Sequence, residues 1–136
     1  MIPTIYTKPS CASSRKAKKW FKDHGVDFTE RNILKHPISI QEIKDILRIT
    51  DNGVEDVISY RSNRYQELQM DLENLSFETV LQLIQKNPTL LRLPIVSADG
   101  KLQIGFNQEE IRKFLPKETR RKNLYNAQKF GIAFEY

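Results

Sequence analysis

Cysteine is almost missing from this chain: Cys11 stands alone. A single thiol excludes a disulfide within the chain and any zinc site built on cysteines. Long apolar runs are missing as well, and no stretch approaches the roughly 18 residues that cross a bilayer. The N-terminus lacks a secretion pattern, because Lys8 interrupts the apolar start and a basic run follows. There is no internal repeat and no low-complexity tract. These absences point to a soluble, cytoplasmic protein that makes no membrane contact, and no motif asks for a cofactor.

What is present suits a packed domain. The 136 residues include seven Phe, five Tyr and one Trp, enough for one domain or one domain carrying an insertion. The net charge of +5 is uneven. Residues 1–22 hold Lys8, Arg15, Lys16, Lys18, Lys19 and Lys22 with no acid, and residues 117–129 hold Lys117, Arg120, Arg121, Lys122 and Lys129 against Glu118. Clustered charge of this kind suits polyanions or acidic protein surfaces, while a solvated basic face is the plainer alternative.

The chain opens with an apolar run, Ile2 to Thr7, that reads as a strand. Ala17, Trp20, Phe21 and His24 recur at helical spacing, which predicts an amphipathic helix over 12–24 ended by Gly25. Val26-Asp27-Phe28-Thr29 alternates and reads as a second strand. The pattern then turns helical. Ser39 and Glu42 form a capping box ahead of Ile40, Ile43 and Leu47, and Thr50-Asp51-Asn52-Gly53 reads as the stop of that helix. Shorter helical pieces follow at 54–59 and 62–69, and Ser76 caps a helix that ends at Asn87-Pro88. Strand character returns at Pro94 to Ser97, with Ala98-Asp99-Gly100 as a turn into 101–104. Asn107 caps a last helix that Pro116 stops.

Strand, helix, strand, helical insertion, hairpin, helix is the order of an α/β, thioredoxin-like fold with an inserted all-helical domain. The expected organisation is a discontinuous thioredoxin-like domain, 1–35 and 87–116, an inserted helical domain, 36–86, and a basic C-terminal segment, 117–136. Cys11 falls between a strand end and a helix start, where free backbone N–H groups and the helix dipole favour an anion. Arg15, one turn on, adds positive potential. A reactive sulfur is therefore expected, against the alternative of a buried, inert one. Ser14 occupies the second position of a C-x-x-C pair and has no redox chemistry, so any disulfide of Cys11 is to another molecule. Pro94 opens a late strand, where thioredoxin-like folds place a cis proline facing the active cysteine.

The stretches IYTKPSC, SRKAKKW, ERNILKHPISIQEIKDILRIT, NGVEDVIS, RSNRYQ, LIQKNPTLLRLPIV and LQIGFNQEEIRKFLP together resemble the Spx family of transcriptional regulators, within the arsenate-reductase-like group. The resemblance implies a global regulator of the thiol and oxidative stress response that binds the C-terminal domain of the RNA polymerase α subunit. It implies contact with promoter DNA only within the polymerase complex. By position it assigns Gly53 and Arg48 to the α contact and Arg61 to the DNA-bound polymerase complex. It also implies turnover by an adaptor and a cytosolic AAA+ protease, although the end GIAFEY does not match the usual Spx end. Ser14 departs from the family's common C-x-x-C, and Leu93 from the arginine that arsenate reductases and many Spx proteins carry before the late proline.

A second function competes. Cys11-Ala12-Ser13-Ser14-Arg15 also resembles the C-x-x-S-R start of glutathione-coupled arsenate reductases, which need one cysteine on the chain. That chemistry wants cationic donors converging on the sulfur. Leu93 stands where one is wanted, and Arg92 is expected to point to the other face of an extended strand. A monothiol glutaredoxin-like oxidoreductase is the third option.

Overall fold

The computed structural model describes residues 2–69 and 71–116. The basic segment 117–136, with its GIAFEY end, lies outside the described residues. Four strands form one sheet in the order β2-β1-β3-β4. Strand β1 (Thr4–Thr7) leads into helix α1 (Ala12–Asp23), which crosses over to β2 (Thr29–Asn32). β1 and β2 are parallel with Thr4 opposite Thr29. Strands β3 (Ile95–Ala98) and β4 (Lys101–Ile104) form an antiparallel hairpin, and β3 runs antiparallel to β1. Asp99 and Gly100 both take positive φ, 49° and 74°, as a two-residue hairpin turn requires.

The sheet's alternation divides the core. Ile5, Val96 and Ala98 face α1, where they meet Ala17, Trp20, Phe21, Ile111 and Phe114. Tyr6 and Ile95 face the other way and share a core with Ile43, Ile46, Val80, Leu81 and Ile84 from the inserted helices. Those helices are α2 (Ile40–Ile49), α3 (Val54–Val57), α4 (Asn63–Leu68) and α5 (Phe77–Lys86). Residues 36–86 therefore cover one face of the sheet and bury their apolar side chains against it.

Three expected elements differ in detail. The second strand begins at Thr29, not Val26. Gly25 N–H bonds the Lys22 carbonyl and Val26 N–H the Phe21 carbonyl, at 3.2 and 2.9 Å, which wraps residues 25–26 onto the helix end as a Schellman cap. Val26 and Phe28 are packed against the α1 core from this connection, so their alternation is real but belongs to a loop. The segment after Asn107 is a 3₁₀ turn, Glu110–Phe114. Asn107 Oδ1 accepts from the N–H groups of Glu109 and Glu110 at 2.9 and 3.0 Å, and Pro116 holds Leu115 extended, leaving little room for an α-helix. Finally, α2 ends at Thr50, whose hydroxyl bonds the Leu47 carbonyl at 2.7 Å. Gly53 is not its stop but the residue that opens α3.

The insertion is tied to the sheet by Arg31 of β2. Its guanidinium donates to both carboxylate oxygens of Glu42, at 2.7 and 2.9 Å, and to the carbonyls of His36 and Pro37, at 3.0 and 2.7 Å. Glu42 also accepts the Ser39 N–H in the capping box. Burial acts to raise the Glu42 pKa, but the Arg31 and Ser39 hydrogen bonds outweigh it and hold the group below its ordinary 4.5. Glu30 is lowered likewise: burial opposes, and hydrogen bonds from Thr7 and Lys18 prevail. A depressed carboxyl pKa contributes stability above the unfolded value and loses it as pH falls through the folded value. Acid should therefore weaken this protein below about pH 4.5. Urea titrations across that range should show a shallower pH dependence for Glu42→Gln than for the unsubstituted chain. An identical dependence would mean the clamp does not report on folding.

Candidate functional site

Two places carry the residues singled out from the sequence. The first is the thiol. Cys11 is the N-cap of α1, partly buried, and its Sγ accepts the Ser14 N–H at 3.4 Å. Ser10 just before it takes a left-handed φ of 60°, which turns the chain from the end of β1 into the helix. Across the sheet edge the Leu93–Pro94 peptide is cis, and the Leu93 carbonyl lies 3.9 Å from Sγ as an acceptor. Cys11, Ser14, Leu93 and Pro94 thus form one small site. Arg15 is exposed on α1. Leu93 is buried among apolar side chains, and Arg92 lies elsewhere. The Arg92 guanidinium passes so close to Gly105 that a Cβ there would meet it at 3.2 Å. Among the described residues, the hydrogen-bond partners of Sγ are neutral backbone groups, and no three His, Cys, Asp or Glu cluster as a metal site.

Ser14 is 1% exposed, and its Oγ has no hydrogen-bond partner among the described residues. A buried hydroxyl without a partner costs about 1–3 kcal/mol in desolvation. A thiol is less polar and suits such a slot better. Ser14→Cys should therefore fold at least as well and, under mild oxidation, close a disulfide between Cys11 and the introduced thiol. Thiol counting should find two groups before oxidation and none after. Two thiols persisting after oxidation would show that the slot cannot present the second sulfur.

The second place is the outer surface of the insertion. Arg48 lies in the last turn of α2 with its side chain 72% exposed, 3.1 Å from Asp45. Gly53 follows with φ 66° and ψ −130°. A Cβ there would meet nothing within 4 Å. The loop is pinned by Asp56, which accepts from the Asn52 N–H at 3.0 Å and its amide at 3.3 Å. Beside it opens a groove of about 610 Å³, lined in part by Val54, Tyr60, Tyr65, Leu72 and Phe77. Arg61 is exposed, in the turn before α4. Tyr60, next to it, packs edge-on against Tyr65 at 4.9 Å. Burial, then the Glu55 carboxylate, pushes the Tyr60 pKa up.

Sequence reasoning did not find the Arg31 clamp or the seat of Arg92 on Gly105. Arg31 sits in a short polar edge strand with no apolar pattern to mark it. Gly105, with φ 77°, had one available signal, a glycine directly after a strand.

A thiol at a helix start, facing a cis proline across a mixed four-stranded sheet, defines a thioredoxin-like protein of the arsenate-reductase kind. The chain belongs to the ArsC family, whose model matches residues 6–114, and within it to the Spx group. It is 48% identical over 126 residues to a protein named global transcriptional regulator Spx from Listeria monocytogenes serotype 4b, covering 93% of this chain and 96% of that one. A protein of the same name from Enterococcus faecalis is 49% identical over 125 residues, covering 92% and 95%. Among solved structures, an arsenate reductase from Vibrio cholerae superposes with a TM-score of 0.77 at 24% identity, covering 85% and 98%. An arsenate reductase related protein from Brucella melitensis gives 0.64 at 24%, covering 84% and 94%. At those identities the two structures speak to the fold alone.

Proposed function

We propose that this chain is a transcription regulator of the Spx type. It docks on the C-terminal domain of the RNA polymerase α subunit, meets promoter DNA within that complex and works in the cytoplasm. The observation that carries this reading is near-full-length similarity, at 48%, to proteins named global transcriptional regulator Spx. The insertion supports it. Gly53 offers a partner an approach to bare backbone, Arg48 is exposed beside it, and the neighbouring groove supplies apolar area. Arg61 is exposed on the same insertion and serves the DNA-bound complex. The regulator acts without an internal disulfide switch, since this chain has one cysteine; Cys11 pairs only with another molecule. Turnover by an adaptor and a AAA+ protease belongs to the same reading.

The arsenate-reductase reading rests on Cys11 and the C-x-x-S-R start. Against it stands the absence, among the described residues, of a cation bonded to Sγ. The glutaredoxin-like reading gives the insertion no use. A direct test separates them. Titration with purified α C-terminal domain should give saturable one-to-one binding, and an assay with arsenate and glutathione should show no turnover. The opposite pair of results would replace the regulator with an enzyme.

A further inference from the structure

The basic run of the sequence becomes a surface in the fold. Helix α1 buries Ser14, Ala17, Trp20 and Phe21 against the sheet and leaves Arg15, Lys16, Lys19 and Lys22 outside. Arg15, Lys19 and Lys22 follow at i, i+4 and i+7, a stripe about 10 Å long on one side of the helix. Lys18 turns toward β2 and pairs with Glu30 at 3.1 Å, and Asp23 holds Lys19 at 2.6 Å at the far end. Between Cys11 and Lys22 no acid interrupts the stripe. The insertion on the opposite face of the sheet has the reverse balance, with nine acids against five lysines and arginines in residues 36–86.

We propose that the exposed face of α1 is a contact surface for the phosphate backbone of duplex DNA. The choice of nucleic acid over an acidic protein comes from what the face lacks. Protein interfaces centre on aromatic and apolar anchors and are poor in lysine. This face offers only Arg15, Lys16, Lys19 and Lys22, flanked by Ala12 and Ser13, and its aromatic residues point inward. Protein–DNA interfaces are polar and strongly positive, and cations on phosphates give affinity without reading sequence. The charge division also sets the arrangement. The α1 face lies on the side of the sheet away from Gly53 and Arg48, so DNA contacted there leaves the α contact free. The inference rests on the regulator reading for its choice of DNA.

The test uses the full chain saturated with the α C-terminal domain, the complex in which DNA is met, and a fluorescent 30-base-pair duplex of arbitrary sequence, with anisotropy read from about 50 to 200 mM salt. The variant carries Arg15→Gln, Lys16→Gln, Lys19→Gln and Lys22→Gln, which keep helix propensity and touch no buried group. A comparison variant changes Lys117, Arg120, Arg121 and Lys122 to Gln. The α1 variant is expected to bind at least about tenfold more weakly at 50 mM salt, with its log–log salt slope smaller by roughly 3–4. Calorimetry against the α C-terminal domain should be unchanged in the same variant. Unchanged DNA affinity and slope would overturn the proposal, as would a loss found only in the 117–122 variant. Retained DNA binding with lost binding to poly-glutamate would overturn it in favour of an acidic protein surface. Loss of α binding in the unsubstituted chain would instead defeat the regulator reading itself. If the fourfold variant does not fold, the pair Lys16→Gln and Lys22→Gln should still lower the slope by about 2.

Discussion

Gly53→Arg is expected to lower affinity for the α C-terminal domain by at least about a hundredfold, or some 2.7 kcal/mol. Gly53→Ala should lower it far less. Two separate costs fall on this one position. With φ 66° and ψ −130°, Gly53 occupies backbone space that L-residues avoid, so any side chain strains the turn. That strain is on the order of 1–3 kcal/mol and falls on stability in both variants. Space is the second cost, and here the free protein imposes none, because a Cβ meets nothing within 4 Å. A long side chain is therefore tolerated until a partner closes on the turn. Circular dichroism should find both variants folded, with similar losses in urea midpoint. If Arg binds as well as Gly, the interface lies elsewhere. If Ala loses as much as Arg, the backbone conformation matters and the close approach does not.

Phe21→Ala should cost about 3–5 kcal/mol of stability, the usual range for emptying a buried phenylalanine site. Phe21 is 0% exposed. Its ring meets Trp20 edge-on at 5.3 Å, Phe28 at 5.7 Å and Phe114 at 6.2 Å. These residues come from α1, the loop ahead of β2 and the last 3₁₀ turn, so one side chain gathers three segments under the sheet. Their rigidity argues against collapse into the space. The loss is large against the roughly 5–15 kcal/mol that typically holds a domain of this size. Phe28→Ala, at a half-buried position, should cost roughly 1–2 kcal/mol. Equal urea midpoints for Phe21→Ala and the unsubstituted chain would show that α1 is seated by other contacts.

Local chemistry explains how much could be read beforehand. The helices of the insertion announced themselves through caps: Ser39 with Glu42 makes both hydrogen bonds of the capping box, and Ser76 accepts the Thr79 N–H. The hairpin was legible because Asp99-Gly100 can take the positive φ pair of a tight turn. The edge strand β2 was not legible. Its residues Thr29-Glu30-Arg31-Asn32 alternate no apolar side chains, and pairing to β1 alone makes it a strand. The thiol site was half legible. A cysteine before a basic helix marks a helix start, but the burial of Ser14 and the turning away of Arg92 depend on packing between distant segments. Gly53 was visible as a breaker, yet whether it ends one helix or begins the next depends on where Thr50 finds its cap.

The central claim is that this chain joins RNA polymerase through the surface around Gly53. Its most direct measurement is calorimetric titration of the chain, in reductant, with the purified α C-terminal domain. Saturable one-to-one binding that Gly53→Arg removes is the expected result. No heat and no complex at high concentration of both proteins would contradict it.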